Sequence, residues 1–478
     1  MGEELENHAL VPPRFRPLPN SPVIPLDAEE TARVLGTRGQ VRLGVAVGHD
    51  DIPVAVPADA KSVFPRHTAV LGTTGGGKST TVAGMVARLQ QAGVAVILLD
   101  TEGEYTTLDQ PTDSPGMIAA LQRAGLEPAG VPDTVLFHLT GRDTANRRHP
   151  HRRRFTLHFS ELSPYAVMDI LDTTDAQQER YLRAYDLCKR VLFRINPPTR
   201  EQHDRLAELD EFETGHPGMT LSHMYDIVRY AARRVAGEDP DPFVSPDFRG
   251  REDVIKHEYD AFARTKQDNV ASWRALQGKF GRLLRLKVFD IAGEQRLPYA
   301  EMAVPGAVSI IDLSDTDSPQ VNNLAIAELL RGVQEHQEEA TRAAEKNGRA
   351  PTPVVVFIEE AHEFLSAERA KKMSNLFEQV ARIARRGRKR WLGLVFVTQL
   401  PQHLPDEVFG LVNNYILHKI SDVGVIGRLK RSVPGVDESL WARLPGLAPG
   451  QAIVSFTSLS RPLLVAIDPA QARLRMVE

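Results

Sequence analysis

One octapeptide limits the possible folds more than any other stretch of the chain. Gly72-Thr-Thr-Gly-Gly-Gly-Lys-Ser79 fits the pattern G-x-x-x-x-G-K-[ST]. An apolar strand pattern over 68–72 leads into it. A helical pattern then runs to about Gln91, and Gly93 supplies the C-terminal cap. The apolar run Val94-Ala-Val-Ile-Leu-Leu99, ending in Asp100, reads as a buried parallel strand. Residues 68–100 therefore form one βαβ unit, which commits the chain to a parallel α/β sheet.

Each part of the octapeptide has a physical task. Gly72, Gly75, Gly76 and Gly77 let backbone N–H groups turn inward around phosphate oxygens. The helix that starts near Lys78 points its positive dipole end at the same anion. Lys78 reaches the β- and γ-phosphates, Ser79 offers its hydroxyl to Mg²⁺, and Thr74 and Thr80 complete the ATP-binding set.

Strand patterns resume at 307–313, 353–358, 392–398, 415–420, 452–456 and 463–467, with helical patterns between them. The expected fold class is α/β, with a parallel doubly wound sheet. In such a sheet the C-terminal strand ends form the binding crevice. Val354-Val-Val-Phe-Ile-Glu359-Glu360 delivers two carboxylates there. Glu359 is assigned to Mg²⁺, and Glu360 to polarising the water that attacks the γ-phosphate. Asp100 joins the metal or water shell, or caps its strand; Glu104 reads as a loop carboxylate or a weaker member of that shell. Gln399, closing the strand 392–398, either senses the γ-phosphate or caps the following loop.

Basic residues cluster twice. Arg385-Arg386-Gly-Arg-Lys-Arg390 reads either as an arginine finger acting across a subunit interface or as a basic helix end favoured by the dipole. Arg66 is open to the same two readings. The run from Arg147 to Arg154 reads as a DNA contact or as a solvated loop, and 400–414 is a second candidate for touching DNA.

Between the two halves of the sheet lies a stretch of different character, with helical patterns at 163–195, 201–213, 220–237 and 251–286 and a strand pair at 134–140 and 154–159. The expected organisation is a short, reduced N-terminal β segment (1–65), a first core part (66–110), a helical insertion (111–289) and a second core part with C-terminal strands (290–478). The hairpin pattern at 41–57 reads as a barrel remnant or as a hairpin lent to a neighbour. A net charge of −4 excludes a uniformly basic nucleic-acid binder but not a basic channel. A single cysteine, Cys188, excludes an intrachain disulfide framework and fits a cytoplasmic location. No run is long and apolar enough to predict a membrane span.

The chain resembles the HerA-type translocases of the HerA/FtsK superfamily. The resemblance rests on Arg66-His67 through Ser79, Leu99-Asp-Thr-Glu-Gly-Glu-Tyr105, Phe357-Ile-Glu-Glu-Ala-His-Glu-Phe364, Ile383-Ala-Arg-Arg-Gly-Arg-Lys389 and Leu394-Val-Phe-Val-Thr-Gln399. It implies a RecA-like ATPase core with an inserted helical bundle, assembled as a homo-hexamer that moves along double-stranded DNA. It implies ATP sites shared between subunits. Glu360 and Asp100 then take the acidic catalytic positions, Gln399 the sensor position, and Arg66 with Arg385 or Arg386 the interface positions. It also implies an effector partner, either a NurA-type nuclease or a sirtuin-like enzyme of an anti-phage system, with a ring that only organises that effector as the alternative. The departure is N-terminal. HerA-like proteins carry a β-barrel there, whereas 65 residues precede Arg66.

Overall fold

The apolar runs become strands because each buries side chains on both of its faces. A computed structural model describes the chain except residues 1–2, 5–9, 12–17, 23, 208–213, 263–268, 317, 367, 369–373 and 476–478. Its centre is one twelve-stranded sheet. In chain order the strands are β1 (Val41–Ala46), β2 (His49–Val56), β3 (Thr68–Leu71), β4 (Ala95–Asp100), β5 (Thr134–Leu139) and β6 (Arg152–Phe155). They continue as β7 (Val308–Asp312), β8 (Val354–Ile358), β9 (Leu392–Thr398), β10 (Asn414–Leu417), β11 (Gln451–Ser455) and β12 (Leu463–Ile467). The spatial order is β2-β1-β12-β11-β10-β3-β9-β8-β4-β7-β5-β6. From β10 to β6 all neighbours are parallel, and from β10 outward to β2 all are antiparallel.

Alternate residues serve two cores. Val70, Val96, Leu98, Phe357 and Val397 pack with Val82, Met85 and Val86 of helix α1 (Lys78–Gln91), which follows the phosphate loop. Leu71, Ile97, Leu99, Val356 and Phe396 face the other way. They meet helices α7 (Pro319–Lys346) and α8 (Ser374–Gly387) and the helical insertion. Helices on both faces of a parallel sheet are what period-two burial of continuous apolar strands requires.

The insertion is built from α2 (Pro164–Ile170), α3 (Asp175–Ile195), α4 (Leu221–Ala236), α5 (Glu252–Phe262) and α6 (Val270–Leu286). α4 lies against α6 and α3, and α2 carries the bundle onto α7 and α8. The neck is closed by backbone pairing, with Leu157 N–H donating to Val288 O at 2.9 Å and Asp290 N–H to Leu157 O at 2.8 Å. The Asp290 carboxylate fixes the first turn of α4 by accepting from Leu221 N–H at 2.8 Å.

The sheet reaches further at both ends than the order of elements along the chain suggests. The helical insertion begins at Leu157 rather than at 111, because β5 and β6 extend the main sheet beyond β7. Val308 to Asp312 give β5 an apolar edge to join, which the order of elements along the chain does not reveal. The 41–57 hairpin joins the main sheet, with β1 pairing with β12 through Val465↔Ala46 and Ile467↔Gly44. Gly44 permits that pairing, since a Cβ there would come within 1.9 Å of Ala466 O.

Candidate functional site

The phosphate loop leaves the C-terminal end of β3, between β9 and β10. Gly75 and Gly77 adopt positive φ of 73° and 104°, a region closed to most other residues. Thr73 anchors the loop, its N–H and Oγ1–H donating to Lys419 O at 3.0 and 3.1 Å. Lys78 Nζ donates to Thr73 O at 3.2 Å. Burial draws the Lys78 ammonium below its ordinary range, against the pull of Glu360, Glu104 and Glu359. Thr80 is half-buried in the first turn of α1.

The carboxylates gather opposite the lysine. Ser79 Oγ–H donates to Glu104 Oε2 at 2.9 Å. Glu359 Oε1 accepts from Tyr105 Oη–H at 3.1 Å, while its Oε2 is buried with no hydrogen-bond partner among the described residues. Burial first, and then Asp100 and Glu104, hold the Glu359 carboxyl well above the usual range. A hydroxyl beside one carboxylate and a second carboxylate with an orphaned oxygen suit a hard, oxygen-seeking cation such as Mg²⁺. Glu360 follows in a left-handed conformation, φ 43°. Its Oε2 lies 3.0 Å from His362 Nδ1, but the ring nitrogen is hydrogen-bonded to Thr398 Oγ1, also at 3.0 Å. Among the described residues Glu360 Oε2 accepts no hydrogen bond, and its charged-pair contact is with that ring nitrogen. Gln399 is held over the loop by a hydrogen bond from Thr74 Oγ1–H to its Oε1 at 2.5 Å.

Asp100 is bonded within its own turn. Its carboxylate accepts from Gly103 N–H at 2.7 Å, Glu104 N–H at 3.1 Å and Tyr105 N–H at 2.9 Å. It folds the turn that presents Glu104 to Ser79 and Tyr105 to Glu359. Burial, and then the Asp312 carboxylate in the adjacent register position, push the Asp100 carboxyl up to about 7. Glu104, read from the sequence as a loop carboxylate or a weak shell member, stands at the hydroxyl assigned to the metal. Its Gly-Glu-Tyr setting after a strand-ending aspartate was the available signal. No sequence motif marks His418, which packs beneath the loop.

The arginines are elsewhere. Arg66 precedes β3, while Arg385 and Arg386 end α8 just before β9. All three therefore sit at the N-terminal strand ends, while the loop, Glu359, Glu360 and Gln399 sit at the C-terminal ends. The seven residues of β9 between them span roughly 20 Å. Buried His67 brings the arginine-bearing segments together. Its Nε2 bonds Ala384 O at 2.6 Å, and its Nδ1 accepts from Leu394 N–H at 3.0 Å. The turn Phe64–Arg66 packs on α8 and on the turn Arg388–Arg390. Arg385 and Arg386 are exposed. In the run 147–154, Arg153 pairs with Glu301 at 2.6 Å and Arg154 with Glu294 at 3.1 Å. Among the described residues no helix is long and apolar enough to cross a membrane.

Comparison with known proteins bears on the family and the fold. Residues 41–333 match the family model of the central domain of helicase HerA, and residues 339–423 that of the HerA-like C-terminal domain. The DNA double-strand break repair helicase HerA of Saccharolobus solfataricus is 25% identical over 98% of this chain and 77% of its own length. The probable DNA double-strand break repair helicase HerA of Methanocaldococcus jannaschii is 23% identical over 97% and 83%. The fold is similar to that of the bacterial conjugative coupling protein TrwB, with TM-score 0.54 at 13% identity over 97% of this chain and 98% of that one. It is also similar to VirB4 of Thermoanaerobacter pseudethanolicus, with TM-score 0.51 at 14% identity over 90% and 96%.

Proposed function

The chain belongs to the HerA helicase family, and from that premise we propose that it is an ATP-driven translocase on double-stranded DNA that works as a homo-hexameric ring. The relatives named as DNA repair helicases support action on DNA. TrwB has been crystallised with ADP and Mg²⁺, which supports a nucleotide of the same kind here.

One observation carries the shared-site reading. The hydrolytic groups and the arginines occupy opposite ends of the same strands, roughly 20 Å apart along β9. No subunit brings its own Arg66, Arg385 or Arg386 to its own phosphates, so a complete site takes the arginine edge of one subunit against the phosphate loop of the next. In that site the loop amides and Lys78 hold the triphosphate. Ser79 and Glu359 would hold Mg²⁺, which neutralises phosphate charge when bound. Glu360 accepts a hydrogen bond from the attacking water, and Gln399 orients it beside the γ-phosphate. The neighbour's guanidinium stabilises the charge that spreads over the transferring phosphoryl. Asp100 acts through the turn it folds. The arginine-rich run 147–154 and the segment 400–414 are proposed to track DNA phosphates. An effector, a nuclease or a sirtuin-like enzyme, is proposed as the ring's partner on the family resemblance, in DNA repair or in anti-phage defence.

The test is Glu360→Gln, which keeps size and hydrogen bonding but removes the base. The variant is expected to bind ATP like wild type and to lose DNA-stimulated hydrolysis by roughly 10²-fold or more. Hydrolysis at the wild-type rate would refute the assignment.

A further inference from the structure

The phosphate loop rests on a histidine that neither the nucleotide nor the hydrolytic groups require. We infer that His418 is a positioning residue for nucleotide binding, a wedge that sets the curvature of the phosphate loop. This rests on the reading of Gly72–Ser79 as the phosphate site.

Three contacts carry it. First, the side chain lies directly under the loop. A Cβ added at Gly72 would come within 2.5 Å of His418 Cβ, one at Gly76 within 3.3 Å of the same atom, and one at Gly77 within 3.6 Å of His418 Cε1. The glycines of the loop therefore do more than permit positive φ: Gly72 and Gly76 leave room for the Cβ of residue 418, and Gly77 lies against the imidazole ring itself. Second, the ring is held at both ends. His418 Nδ1 lies 3.1 Å from Gln451 O, and Nε2 lies 2.9 Å from Thr81 Oγ1. A carbonyl only accepts, so Nδ1 carries the hydrogen, and Nε2 accepts from the threonine hydroxyl. Third, the ring is fully buried, and its burial, opposed by Gln451 O and reinforced by the Lys78 charge, pulls it down to about 4. It stays neutral at physiological pH and adds no charge beneath the phosphates.

The wedge joins three elements at the loop. Thr81 belongs to α1, whose first turn points at the anion, and His418 follows β10. Gln451 opens β11, and the Gly450 N–H beside it donates to Gly76 O at 3.3 Å. Holding these together fixes the loop amides before nucleotide arrives, so less ordering is left to oppose binding.

The experiment is titration of the full chain with ADP, using His418→Leu, Thr81→Val and the double variant, with thermal midpoints measured with and without ADP. Each single variant is expected to weaken ADP binding about tenfold and to shrink the ADP-induced rise in midpoint. The double variant is expected to be no worse than His418→Leu, because both changes break the same link. Thr81→Val changes only a hydroxyl and keeps the test alive if His418→Leu does not fold. Wild-type ADP affinity in the single variants, whatever their midpoints without nucleotide, would overturn the inference, as would losses that add. A wild-type chain that failed to bind ADP would instead remove the phosphate-site reading beneath it.

Discussion

His67 offers a perturbation whose size follows from the geometry. Its backbone sits at φ 60°, ψ 149°, a region that costs a non-glycine residue about 1–3 kcal/mol. Its ring bonds Ala384 O and Leu394 N–H, both in the interior. His67→Ala keeps the strain and orphans two buried backbone groups, at about 1–3 kcal/mol each, so the loss is about 2–6 kcal/mol. His67→Gly orphans the same groups but relieves the strain, and the greater freedom of glycine in the unfolded chain takes back about 0.5–1 kcal/mol of that relief. Denaturant unfolding should therefore rank wild type above His67→Gly and His67→Gly above His67→Ala. The same variants test function, because His67 ties α8 and the arginine edge to the sheet. DNA-stimulated turnover is expected to fall in both, with ADP affinity held, since the phosphate loop lies at the other end of β3. A stability loss below 1 kcal/mol in His67→Ala, or an ADP affinity that falls in step with turnover, would refute the reasoning.

Other expectations follow from the same geometry. Rings mixed from Arg386→Ala and Lys78→Ala subunits should hydrolyse ATP in a ratio-dependent way, since one intact site can form where the undamaged edges meet; turnover that follows the arithmetic mean of independent subunits would contradict it. Glu328, buried in α7, accepts from His158 N–H at 3.0 Å, and burial pushes its carboxyl up to about 8. The folded chain thus holds this proton more tightly than the unfolded chain, and the stability it contributes below the ordinary carboxylate pKa is lost as pH rises through 8. Glu328→Gln keeps the acceptor without the titration, so between pH 5 and pH 9 its melting temperature should rise relative to wild type. The corresponding stability difference is on the order of a few kcal/mol, and parallel pH curves would count against it.

Much of the core is legible because burial leaves a periodic trace. β3, β4, β8 and β9 are continuous apolar runs, and the phosphate loop is a fixed pattern between a strand and a helix. What periodicity does not carry is the order of strands in space. The attachment of β5 and β6 beyond β7, and of β1 to β12, depends on which edge is free once the sheet has formed. The same holds within the site. The acids are visible as strand ends, but Asp100 as the hub of a turn is not, because its three acceptor bonds go to backbone N–H groups that any sequence would supply. His67 and His418 read as single histidines beside apolar runs, and only tertiary contact gives them partners hundreds of residues away. The separation of arginines from phosphate loop follows from strand direction once the sheet is known to be parallel.

The central claim is that ATP hydrolysis drives this chain along double-stranded DNA. The most direct measurement is displacement of a third strand bound in the major groove of a linear duplex, followed in time with ATP present. Wild type is expected to strip the third strand at a rate that depends on ATP, and Glu360→Gln to leave it in place. A wild-type protein that hydrolyses ATP on DNA yet never displaces the strand would contradict the motor, and would leave a ring that uses nucleotide only to organise a partner.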